Sequence, residues 1–167
     1  EMLSGDWSSD VCSSDLAIGM LEALAGDGDV SATIALANAY ANGRGVAPDG
    51  ARAAALLEPF AGAGQAAAAV ALADLYRNGA TGLPADGAKA RTLLAALAAT
   101  GDVTAKRRLA DMLARGDGGA ADTDAAIAQI QDVAEAGDTS ALLQLGDLLS
   151  RSEFGKSDAE AAIAAYQ

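Results

Sequence analysis

"GDVSATIALANAYANG", residues 28–43, decides the fold once it is set above "GQAAAAVALADLYRNG" (64–79), "GDVTAKRRLADMLARG" (101–116) and "GDTSALLQLGDLLSRS" (137–152). The opening glycines, Gly28, Gly64, Gly101 and Gly137, stand 36, 37 and 36 residues apart. Four residues after each comes Ala32, Ala68, Ala105 or Ala141, and eight after comes Leu36, Leu72, Leu109 or Leu145. Twelve after comes Tyr40, Tyr76, Leu113 or Leu149. Steps of four put these side chains on one stripe of a helix, so each unit is expected to open with an amphipathic helix, helix A.

The stops and starts recur with the stripe. Gly43, Gly79 and Gly116 end helix A, because glycine takes the left-handed cap conformation without strain. Ser152 holds that place in the fourth copy. A short loop leads to Asp49, Asp86, Asp122 or Asp158, whose carboxylates suit the N-cap of a second helix, helix B. Its apolar stripe carries Ala53, Ala90, Ala126 and Ala162, then Leu57, Leu94, Ile130 and Tyr166. The "GD" pairs at 28–29, 101–102 and 137–138 are expected to stop one helix and cap the next. The one-residue difference in period falls in the loop "GATGLPAD", where insertion costs little. Pro59 falls inside helix B of the first full unit, where a kink is expected.

A period of this length predicts an all-α solenoid of antiparallel helix pairs, about four repeats, each burying its stripe against its neighbours. Composition agrees. Of the 167 residues 51% are hydrophobic but only 4% aromatic, so the core is built from Ala, Leu, Ile and Val, as closely spaced helices require. The formal net charge of −12 argues against nucleic acid as a partner, since phosphate affinity needs clustered Lys and Arg. No uncharged apolar run is long enough to span a membrane, and no basic stretch followed by an apolar run marks a signal peptide. The Ala and Gly content suggests a GC-rich bacterial gene, and the compartment stays open.

The first unit, "LANAYANGRGVAPDGARAAALLEPFAGAGQAAA", strongly resembles the Sel1-like repeat, a relative of the tetratricopeptide repeat. Leu36, Ala37, Tyr40, Gly43, Gly45, Val46, Asp49, Ala53 and Gly64 occupy that family's motif positions. The second unit keeps Leu72, Ala73, Tyr76, Gly79, Gly82, Leu83, Asp86 and Ala90. In the third and fourth, Leu113 and Leu149 replace Tyr, and "GDGGAAD" and "SEFGKSD" are read as lacking the Gly-x-Gly-Val loop. The resemblance covers residues 17–167 and implies architecture more than any one biology.

The frame sets off the start of the chain. Counting back from Gly28, Leu24, Leu21 and Ala17 fall on helix-B positions, matching Phe60, Leu57 and Ala53. Before Ala17 stands "DWSSDVCSSDL" (6–16), with the sole Trp and sole Cys, and it can be written in the codons of a common short-read sequencing adapter. Residues 1–16 are therefore expected to be a non-native, disordered or irregular segment, the alternative being a Ser/Asp-rich linker with a reactive Cys12. The array proper is expected at 17–167: a partial helix B at 17–27, repeats at 28–63, 64–100 and 101–136, and a truncated one at 137–167. The first sixteen residues carry Glu1, Asp6, Asp10 and Asp15 and no base, so the array carries −8.

Catalysis finds little footing. The chain has no histidine, which excludes Ser-His-Asp and Cys-His machinery and the usual zinc sites within it. "SRSEFGKS" (150–157) has Ser150 where a phosphate loop needs glycine and follows a helix instead of a strand. "GDGD" (26–29) and "GDGGAADTD" (116–124) lack the spaced ligands of a calcium loop. The expectation is no enzyme, no cofactor and no metal.

What the resemblance implies instead is a protein-interaction scaffold that binds a peptide or protein partner in a concave groove lined by helix A. Positions off the apolar stripe would face that partner: Asn38, Asp74, Asp111 and Asp147 at the tenth place, with Arg77, Asn78, Arg107, Arg115 and Arg151 around them. Asp111 with Arg115, and Asp147 with Arg151, also have the spacing of ordinary i,i+4 pairs on solvated faces. The alternatives are a regulatory or targeting segment of a larger enzyme, or a structural part of a bacterial envelope or exopolysaccharide-export assembly.

Overall fold

A computed structural model describes the backbone of residues 7–151 and the side chains of residues 15–150. Ser152, Asp158, Ala162, Tyr166 and the end of "SRSEFGKS" lie outside the described residues, as does the side chain of Arg151. The chain divides into two compact units, residues 1–85 and 86–167. In the first, α1 (Trp7–Gly26), α2 (Val30–Asn42), α3 (Gly50–Gly62) and α4 (Ala66–Asn78) each pack on the next, and α2 also touches α4. In the second, α5 (Gly87–Ala98), α6 (Val103–Arg115), α7 (Thr123–Glu135) and α8 (Thr139–Arg151) do the same, with α6 touching α8. Helices α2, α4, α6 and α8 are the A helices; α1, α3, α5 and α7 are the B helices.

The predicted stripes form the core. Ala53, Ala90 and Ala126 are 0% exposed, which leaves no room for a larger residue where neighbouring helices cross. Leu57, Leu94 and Ile130 are buried beside them, as are Leu36, Leu72 and Leu109 on the A helices. Tyr76, Leu145 and Leu149 are only half-buried, while Gly146 and Leu148 turn inward on α8.

The caps follow the sequence closely. Asp29, Asp102 and Asp138 accept from the backbone N–H of Ala32, Ala105 and Ala141 at 2.7, 2.7 and 2.8 Å. Asp49, Asp86 and Asp122 cap the B helices by accepting from the N–H of Arg52, Lys89 and Ala125 at 2.9, 3.0 and 2.8 Å. Each removes an otherwise unpaired donor from a helix start. Asp49→Ala is expected to cost about 1 kcal/mol, read from urea denaturation followed by circular dichroism. No loss would mean that water serves that helix end equally well.

Two details differ from the sequence reading, and Pro59 lies inside a B helix as that reading places it. Residues 7–16 are helical and continuous with 17–26, where an irregular segment is expected. Once a helix exists each added residue gains a bond, so Ser and Asp can extend it; helicity says nothing of the segment's origin. Helix α3 continues through Pro59 to Gly62. The third loop also keeps the Gly-x-Gly geometry it was read as lacking: Gly116 (φ +76°) and Gly118 (φ +78°) repeat Gly43 (φ +68°) and Gly45 (φ +72°). In both loops the capping aspartate's N–H closes on helix A, Asp49 to the Tyr40 carbonyl and Asp122 to the Leu113 carbonyl, each at 2.8 Å. Only the valine is lost, with Gly119 in its place.

These loops join one repeat to the next. In the loop after α4, Ala80 and Leu83 exchange backbone hydrogen bonds of 2.8 and 2.9 Å, and the Thr81 carbonyl accepts from the N–H of Gly50 at 2.6 Å. A Cβ on Gly50 would stand 2.6 Å from that of Ala80. In the second unit the loop after α6 lies on Gly87 in the same way, where a Cβ would stand 2.6 Å from the Gly118 nitrogen. The extra residue of the 37-residue period therefore sits in a loop that makes an inter-repeat contact.

Candidate functional site

The sequence-predicted surface residues lie on the A helices of both units. In the first unit Asn38 of α2 and Asn78 of α4 are exposed, and Asp74 and Arg77 of α4 are half-buried. Because α2 and α4 touch, Asn38 and Asp74 hold matching places on adjacent helices. In the second unit Arg107 and Asp111 of α6 are half-buried, and Arg115 of α6 and Asp147 of α8 are exposed. Arg151 closes α8.

Part of this polarity serves the helices themselves. Asp111 Oδ1 accepts from Arg115 Nε at 2.8 Å, the expected i,i+4 pair. The carbonyl of Asn38 accepts from Asn42 Nδ2 at 2.8 Å, and that of Asp147 from Ser150 Oγ at 2.7 Å. Lys106 of α6 pairs with Asp132 of α7, and the hydrogen bond it donates, with its charge, holds the Asp132 carboxyl below the usual range. Arg107 is unlike these: its Nε is buried and has no hydrogen-bond partner among the described residues. Its carbonyl accepts from Gln144 Nε2 of α8 at 2.9 Å, which places α8 directly beside it.

A second constellation escapes the sequence reading. Tyr40 is 5% exposed and its hydroxyl donates to Glu22 Oε1 of α1 at 3.0 Å. Arg52 of α3 reaches the same oxygen at 3.4 Å and lays its guanidinium carbon 4.3 Å from the Tyr40 ring centroid, a cation–π contact. Burial, and then the bond to Glu22, pushes the Tyr40 phenol above its ordinary value. The arrangement repeats: Tyr76 donates to Glu58 Oε1 at 3.0 Å, with the same spacing of 18 residues. In the third and fourth repeats Ala95 and Gln131 stand at the glutamate position, and Leu113 and Leu149 at the tyrosine position. Glutamate and tyrosine are present together or absent together, and that was the signal available in the sequence. Tyr40→Phe is expected to cost about 1 kcal/mol in urea denaturation, the net worth of one such bond; an unchanged midpoint would show the bond to be idle.

Between α1 and α3 an open cleft of about 440 Å³ is floored by Thr33 and Leu36 of α2. Glu22, Arg52, Leu56 and Phe60 form its walls. Its walls are the B helices α1 and α3, and none of the predicted A-helix positions lines it. The Thr33 hydroxyl donates to the Asp29 carbonyl at 2.8 Å, so the floor is already satisfied.

Among the described residues no cluster of three or more His, Cys, Asp or Glu could hold a metal ion, and no helix is long and apolar enough to cross a membrane. The protein is an all-α helical-repeat solenoid, with Ala–Leu stripes inside and polar A-helix surfaces outside. Its fold is that of solved Sel1-repeat proteins. A protective antigen of uropathogenic Escherichia coli strains displaying an SLR fold is similar over 89% of this chain, at 25% identity and a TM-score of 0.67. A Sel1 repeat protein from Oxalobacter formigenes is similar over 89% of it, at 23% identity and a TM-score of 0.69. The chain spans 32% of the first and 60% of the second. No family model matches the chain, and no curated protein matches it.

Proposed function

We propose that the protein is a non-catalytic interaction scaffold whose A-helix surfaces, within residues 17–167, bind an extended peptide segment of a partner protein. One observation carries the reading. The inward Ala of each helix pair recurs from repeat to repeat, and Leu or Ile beside it, whereas outward A-helix places vary: the sixth holds Ile34, Val70, Arg107 and Leu143, and the fourteenth Asn42, Asn78, Arg115 and Arg151. Uniform cores serve stacking, and varied outer faces serve recognition of one particular sequence. The Sel1-like fold supports the same reading, as a scaffold architecture.

Contacts spread over several helices predict that no single outward Asp or Asn is indispensable. For a peptide selected from a random phage-displayed library against the full chain, Asp111→Ala and Asp147→Ala are each expected to weaken binding about 2–5-fold, a loss below 1 kcal/mol. Folding should be unchanged by circular dichroism. Selection that yields no binding peptide, or binding untouched by the whole set of A-helix substitutions, would refute the proposal.

A further inference from the structure

We infer that Arg107 is the carboxylate-binding anchor of the second unit's A-helix surface, and that the peptide it takes carries an Asp or Glu side chain flanked by apolar residues. The inference rests on the peptide-binding reading above and names the chemistry of the peptide.

Three observations converge on Arg107. Its Nε is buried with no hydrogen-bond partner among the described residues, although a guanidinium brings five donors and a buried one left unpaired is costly. The corresponding places in the other repeats hold Ile34, Val70 and Leu143, so the charge departs from an otherwise apolar pattern and the fold does not call for it. Apolar surface stands open nearby: Val103, one turn earlier on α6, is 42% exposed, and Leu143, at the equivalent place on α8, is 53% exposed. Gln144, next to Leu143, is the residue that bonds the Arg107 carbonyl, which fixes α8 against this part of α6.

An arginine on a surface that also exposes Val103 and Leu143 fits an anion carried on an apolar segment. A carboxylate suits the fork geometry of the guanidinium, and burial beneath a docked peptide strengthens the bond by excluding water. Apolar residues on either side of that carboxylate would cover Val103 and Leu143. The net charge of −12 opposes acidic ligands in general, so a peptide held here is chosen by this local pairing and not by long-range attraction.

The test compares the full chain with Arg107→Leu and Arg107→Gln. Leucine is the residue that α8 carries at this position, and it removes the unpaired donor; its melting temperature is expected to rise by about 2 °C or more. Peptides selected from a random phage-displayed library on the parent chain should share an Asp or Glu within an apolar context. They should lose at least tenfold in affinity for both variants, and replacing that acid by its amide in a synthetic peptide should lose as much. Selected peptides without a shared acid, or equal binding to the variants, would overturn the role of Arg107 while leaving the scaffold reading intact. A lower melting temperature for Arg107→Leu would overturn it too, by showing that the arginine serves the fold. Failure to select any peptide would overturn both readings.

Discussion

Gly118→Ala is expected to destabilise residues 86–167 by about 3 kcal/mol or more. Two costs add. Gly118 has φ +78°, where a side chain costs about 1–2 kcal/mol. Its Cβ would also meet the backbone of Gly87 and Ala88, a clash that no rotamer relieves because the opposing atoms are main chain. Forcing the loop off the start of α5 adds about 1–3 kcal/mol by the scale of overpacked cores. Gly82→Ala separates the two costs, since Gly82 has φ +76° but open space around it, and it should lose only the conformational part. Urea titrations followed at 222 nm would read both. Equal losses for Gly82→Ala and Gly118→Ala would show that the loop-on-helix contact contributes nothing.

Leu109→Ala is expected to cost about 2–5 kcal/mol, the range for emptying a buried leucine site. Leu109 is 6% exposed on α6, between Ala105 and Leu113 of the same stripe, and all three are buried. The surrounding helices are themselves tied by caps and loops, so the void should close only in part. Leu143→Ala is the control. At 53% exposure on α8 it should change stability by no more than about 0.5 kcal/mol. The pair separates the two faces of an A helix: Leu109 lies in the core, and Leu143 lies on the exposed face. Similar stability losses from both would mean that α8 packs more tightly than its exposure indicates.

Much of the fold was legible because its determinants are local. The capping aspartates, the glycines that end α2 and α6 and the four-residue steps of Ala and Leu on α2, α4 and α6 each act within one helix and appear where the spacing puts them, whereas on α8 Gly146 and Leu148 turn inward in place of Leu145 and Leu149. Contacts between repeats were less legible. Glycine follows the capping aspartate at Gly50 and Gly87, and the next repeat's loop rests there; the third copy has Thr123. The reason for that glycine lies some thirty residues downstream, beyond any local pattern. The third loop was read by its missing valine, although its two left-handed glycines define its path. The Glu22–Tyr40 and Glu58–Tyr76 bonds join one helix to the next and show in sequence only when paired positions are compared across copies. Of the candidate site, the A-helix positions could be numbered in advance. That Asp111 is engaged by Arg115, whereas Arg107 Nε is buried without a partner, depends on side-chain packing that periodicity does not encode.

Hydrogen exchange of the full chain with and without a selected peptide tests the central claim most directly. The account predicts added protection on the A helices, with α6 and α8 slowed around Arg107 and Leu143, and little change on α1 and α3. Protection confined to the cleft between α1 and α3, with α6 and α8 unchanged, would contradict it and move recognition to the B helices.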